Sequence, residues 1–93
     1  MAEDTVEVQI DAHTLERAIE RGATESEIRD AIATGFDIPA KRGRMAKAKV
    51  YDFNDRRGSR HYKQKRLEVI YALEGLRAVT VTVYVFYGEW KSR

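Results

Sequence analysis

Hydrophobic positions follow two regimes along this 93-residue chain: helical spacing over the first forty residues and two-residue alternation over most of the rest. After an alternating start, TVEVQI, Leu15, Ala18 and Ile19 form one apolar stripe and Ile28, Ala31 and Ile32 another. Asp11 stands where an N-cap is wanted and Gly22 where a left-handed residue closes a helix, which predicts a first helix over residues 12–21. The run TESE, Thr24 to Glu27, predicts a capping box, with the Thr hydroxyl serving the N3 amide while Glu27 reaches back. The second helix should run to about Thr34, with Gly35 ending it and Pro39 preventing its return. Two short helices joined by a two-residue turn make a hairpin, and each has one face to bury.

The remainder reads as sheet. MAKAKVYDF (Met45 to Phe53), KQKRLEVIYAL (Lys63 to Leu73) and LRAVTVTVYVFY (Leu76 to Tyr87) predict strands, the last two joined by a tight turn at Glu74-Gly75. In the last strand Val79, Val81, Val83 and Val85 share a face, which should pack on the helices; Thr80, Thr82, Tyr84 and Phe86 share the other. In the middle strand Leu67, Val69, Tyr71 and Leu73 oppose Arg66, Glu68 and Ile70. Asn54 to His61 has the composition of an exposed turn. The expected fold is α+β: a helical hairpin (about 11–35) packed on a three- to four-stranded antiparallel meander (about 45–88), as a single domain.

Composition narrows the chemistry. Hydrophobic residues make up 43% and charged residues 34%, the balance of an ordinary globular domain. The absence of cysteine excludes disulfides, thiolate metal sites and thiol nucleophiles, and two histidines are too few for a structural zinc site. No metal or cofactor is expected. The acidic N-terminus lacks the apolar run of a signal peptide, and no stretch approaches the ~18 apolar residues of a membrane span, so the expectation is a cytoplasmic protein without membrane contact.

Charge is the uneven feature. Residues 1–40 carry ten acids and three bases, whereas Lys41 to Arg66 collects eleven of the seventeen Lys and Arg residues and only two acids. Lys47 and Lys49, two apart, should share a strand face with Met45 and Tyr51. Arg66 emerges from the next strand, with Arg56, Arg57, Arg60, His61 and Lys63 around the turn and Arg44 and Lys65 nearby. Cations beside Tyr51, Tyr62 and Tyr84 suit a phosphate backbone with unstacked bases, so RNA is the expected partner. The plain alternative is that these are solvated loops and charged strands that discourage edge-to-edge aggregation. Tyr87 and Trp90 read as core or edge cover.

The stretch His13 to Gly35, HTLERAIERGATESEIRDAIATG, resembles the family called domain of unknown function 4258, whose members open on a His-x3-Arg helix followed by Arg-Gly. His13, Arg17, Arg21 and Gly22 fit that pattern, Thr24 falls at the second cap, and TVTVYVFYGE looks like the family's last strand. That family is similar in fold to the RelE and BrnT toxins, metal-independent ribonucleases that cleave messenger RNA, often on the ribosome, and are held by an antitoxin. The resemblance implies RNA cleavage by 2′-OH transesterification and an acidic or DNA-binding protein partner. It also implies Lys47 and Lys49 as base or phosphate clamp, Arg66 as oxyanion stabiliser and Tyr84 as acid or stacking platform. A lysine base would need its pKa lowered by neighbouring cations; His61 is the other candidate base, an imidazole titrating ordinarily near ~6.5.

His13, Arg17 and Arg21 form a polar stripe off the apolar face of the first helix. They either bond to backbone and to Glu16, Glu20 and Glu25, or bring His13 over the sheet edge to pair with His61. Three functions stand side by side: a RelE-like endoribonuclease, a non-catalytic RNA- or ribosome-binding domain, and a module whose cations meet an acidic protein.

Overall fold

The computed structural model describes residues 7–90. Their order is β1 (Glu7–Gln9), α1 (Ala12–Arg21), α2 (Glu25–Thr34), β2 (Phe36–Ile38), β3 (Met45–Arg57), β4 (Arg60–Glu74) and β5 (Arg77–Gly88). Both helices end and begin as their sequences dictate. Asp11 accepts the Thr14 amide at 2.8 Å, and Thr24 and Glu27 close the reciprocal capping box. Gly22 takes φ 92 as the left-handed cap of α1.

The sheet has five strands in the order β1-β5-β4-β3-β2 and is mixed, where a three- to four-stranded antiparallel meander was expected. The added strands are three-residue edges: β1 runs parallel to β5, and β2 pairs antiparallel with β3 through Phe36↔Ala48 and Ile38↔Ala46. β1 lies within the alternating start TVEVQI, whereas β2 is too short for its alternation to stand out in sequence. The loop expected over Asn54 to His61 contracts to Gly58-Ser59, because β3 continues to Arg57 and pairs with Arg60. Gly58, at φ 66, supplies the positive first position of a type II′ hairpin turn. A bulge between Asp52 and Asp55, with Asn54 at φ 46, absorbs the extra residue upstream.

The helices cover one face only. Ala18, Ala23, Ile28, Ala31 and Ile32 pack on Leu67, Val69, Tyr71, Ala78 and Val83. The expected valine face of β5 is broken by a second bulge: Ile70 pairs with Thr82 and Tyr71 with Thr80, so Val81 is left out of the ladder. Ala78 and Thr80 therefore face the helices before the bulge, Val83 and Val85 after it, and Val79 lies on the far side. The α1 stripe also differs. Thr14 and Ala18 are buried, whereas Ile19 is 69% exposed. Two bonds set that roll: the Asp11 amide donates to Thr80 Oγ1 (3.2 Å) and Arg21 Nη1 to the Val83 carbonyl (2.7 Å).

Candidate nucleic-acid interface

The eleven cations of the central segment do not form one face. Register places Lys47 opposite Val69 and Lys49 opposite Leu67, on the helix-covered side, and places Arg66 opposite Val50 and Phe86, on the open side. Alternation along a strand makes this split unavoidable, because Lys49 and Arg66 occupy positions of opposite parity in the β3–β4 ladder. Tyr51 and Tyr84 are divided in the same way.

The three lysines on the covered side each meet an acid. Lys49 Nζ lies 2.7 Å from Asp30 on α2 and donates to Thr34 Oγ1; the Tyr51 hydroxyl donates to the same Asp30 oxygen at 2.7 Å. Lys47 sits 2.8 Å from Asp37 on β2, and Lys65 sits 2.9 Å from Glu27. The Lys49 and Tyr51 hydrogen bonds hold the Asp30 carboxyl below its ordinary range. Burial, then Asp30, pushes the Tyr51 phenol up. The hydrogen bond that Lys47 donates to Asp37 raises the lysine's pKa, which is the reverse of what a lysine base needs. Lys47 and Lys49 are thus each held by an acid of the N-terminal half, Asp37 and Asp30.

A second set of contacts gathers around the turn between the helices. The carbonyls of Glu20, Arg21 and Gly22, left unpaired by the end of α1, accept from Arg57 Nη2 (2.8 Å), the Tyr87 hydroxyl (2.6 Å) and Lys65 Nζ (2.8 Å). Arg57 also stacks on the Tyr87 ring, which contacts Phe53 and Tyr62. Arg57, Lys65 and Tyr62 therefore belong to this support. Gly22 is required twice: for its positive φ, and because a Cβ there would strike the Tyr87 hydroxyl. Arg21 grips the free edge of β5, with its guanidinium 5.5 Å from the Tyr84 ring. Arg17 pairs with Glu20 at 3.2 Å, and His13 is exposed at the start of α1. That start lies beside Thr80, whereas His61 lies past the level of Gly88, ~26 Å along the strand, so no two-histidine pair forms.

What remains exposed is split between the two ends of the sheet. Lys41, Arg42 and Arg44 flank the start of β3, whereas Arg56, Arg60, His61 and Lys63 occupy the tip of the β3–β4 hairpin. Because β5 stops at Gly88 opposite Gln64, the hairpin projects past it as a two-stranded ribbon. Beside the ribbon, Arg60, His61, Tyr62, Lys63, Gly88 and Glu89 line an open cleft of about 450 Å³. Lys63 and Glu89 approach to 3.4 Å, and the Trp90 amide donates to Gln64, holding the segment after β5 against the cleft. In the tip ladder Arg57 stands opposite Arg60 and Arg56 opposite His61. Arg56, Arg60 and Lys63 outnumber the nearby acids Asp55 and Glu89, so the tip would attract a polyanion.

On the open face, Arg66 is paired at 3.0 Å with Glu68, a residue the sequence reading left without a role. Register sets Tyr84 opposite Glu68 and Phe86 opposite Arg66. His61 is five residues from Arg66 along β4, ~16 Å, so the two do not share a reaction centre.

No family model matches the chain, and neither the curated proteins nor the solved structures yield a match.

Proposed function

We propose that the protein binds single-stranded RNA through the tip of its β3–β4 hairpin, with Arg56, Arg60 and Lys63 holding phosphates around the His61 cleft. The observation that carries this reading is the exposed cluster of Arg56, Arg60, His61 and Lys63 at the projecting tip, the last three lining the cleft. The test is fluorescence anisotropy of a labelled RNA oligonucleotide across a salt series, for the parent and an Arg56→Ala/Arg60→Ala variant. Three phosphate contacts predict a log–log salt slope of about −2, and the one contact left in the variant predicts about −0.7. A slope near zero, or one that the variant leaves unchanged, would reject the tip as the interface.

A second reading, cleavage of the bound strand, is favoured by the placement of His61 inside the cleft. The imidazole would take the ribose 2′-OH proton, the oxygen would attack the adjacent phosphorus, and the P–O5′ bond would break to leave a cyclic phosphate. Arg60 and Lys63 would stabilise the charge that builds on the phosphate, and solvent would protonate the departing oxygen. This keeps the chemistry implied by the RelE-like resemblance but moves its base from Lys47 and Lys49 to His61. Incubating end-labelled RNA with EDTA separates the two readings. Cleavage lost in His61→Ala supports the second; intact RNA with salt-sensitive binding leaves the first alone.

A further inference from the structure

The face of the sheet away from the helices has a different character from the tip. It presents Phe36, Ile38, Val50, Ile70, Thr82, Tyr84 and Phe86 around one ion pair, Arg66–Glu68, with Ala46 and Ala48 buried beneath these side chains, and no described helix covers it. Tyr84 and Phe86 remain 43% and 47% exposed. A carboxylate at the centre disfavours phosphate there, and the apolar surround favours burial against protein.

Register indicates which protein. Two rows cross the middle of this face: Val50, Arg66 and Phe86 in one, Ala48, Glu68 and Tyr84 in the next. β4 is the central strand of the five. A two-fold axis in the plane of the face, perpendicular to β4 at the level of Leu67, exchanges the two rows. Arg66 then meets Glu68 of a second copy, and Tyr84 meets Phe86. Each contact occurs twice, as an isologous interface demands, and each pairs opposite charges or two aromatics. We infer that two copies of this chain associate through their open sheet faces, stacked across this axis.

The experiment is sedimentation of the full chain from micromolar to hundreds of micromolar, with Arg66→Glu and Glu68→Arg variants checked by circular dichroism. The parent should sediment as a dimer of twice the 10.7 kDa chain mass. Each single variant brings like charges together across the axis and should dimerise at least tenfold more weakly. Mixing the two variants brings two acids against two bases, and a heterodimer should form. That mixture isolates the contact between copies, because the pair within each chain stays broken. A parent that remains monomeric throughout overturns the inference and leaves the face to a partner of other sequence. Single variants that dimerise like the parent, or a mixture that does not associate, also overturn it.

Discussion

Lys65 and Glu27 meet 2.9 Å apart beneath the turn between the helices, with the lysine side chain 8% exposed and the glutamate 23%. The same Glu27 oxygen accepts the Thr24 amide that closes the capping box. One carboxylate thus starts α2 and neutralises a cation on the central strand. Removing one partner of a buried pair strands the other. The stranded Glu27 is part-exposed and keeps its bond from Thr24, so Lys65→Ala should cost about 2 kcal/mol in urea denaturation. A loss below about 1 kcal/mol would show that the pair is dispensable.

Asp30 connects the fold to pH. Its folded pKa is depressed, chiefly by the hydrogen bond from Lys49 and then by that from Tyr51. A depressed carboxyl contributes stability that is fully present above its unfolded pKa of ~3.9 and lost as pH falls through the lower folded value. The Tm of the parent should therefore fall more steeply below about pH 4 than that of Asp30→Asn, which should already be less stable at neutral pH. Parallel acid profiles for the two would refute the role given to Asp30.

Gly35 ends α2 in an extended conformation that any residue can adopt, at φ −76 and ψ 177. Its constraint is space: a Cβ would collide with the Ala31 carbonyl and come within 2.6 Å of the Ala48 carbonyl. Both obstacles are backbone and cannot rotate away. Gly35→Ala should cost about 2–3 kcal/mol, read from the denaturant midpoint at unchanged slope.

Thr14 is fully buried on α1, and its hydroxyl has no hydrogen-bond partner among the described residues. Valine has the same branched shape without the stranded oxygen. Thr14→Val should stabilise the protein by about 1 kcal/mol, and a lowered Tm would reveal an unseen partner for the hydroxyl.

The helices were legible because their signals are local: Asp11, Gly22, Thr24 and Glu27 act within four residues of their own positions. The face of Leu67, Val69 and Tyr71 was legible for the same reason, since alternation needs no partner strand. Two features misled. The bulge at Val81 reverses an unbroken valine alternation, and no residue there announces it. Clustering of charge in sequence also did not become clustering in space. A β-hairpin sends neighbouring lysines and arginines to both faces and both ends, and the acids that neutralise Lys49 and Lys65 are nineteen and thirty-eight residues away. Of the candidate site, the tip cations and His61 come together as their sequence proximity suggested, whereas Lys47 and Lys49 are parted from Arg66 and Tyr84 by the sheet itself.

The parallel pairing of β1 with β5 has a consequence for the order of assembly. The hairpins β3–β4 and β4–β5 close across two-residue turns, whereas Glu7 must find Arg77 across most of the chain. Closing a flexible loop of that length carries an entropy cost of ~4 kcal/mol, returned by only three residue pairs. The meander should therefore form first and the N-terminal strand dock last, making it the element that opens most readily in the native protein. Hydrogen exchange should show the amide of Glu7, bonded to the Leu76 carbonyl, exchanging well before those of Leu67 and Val69.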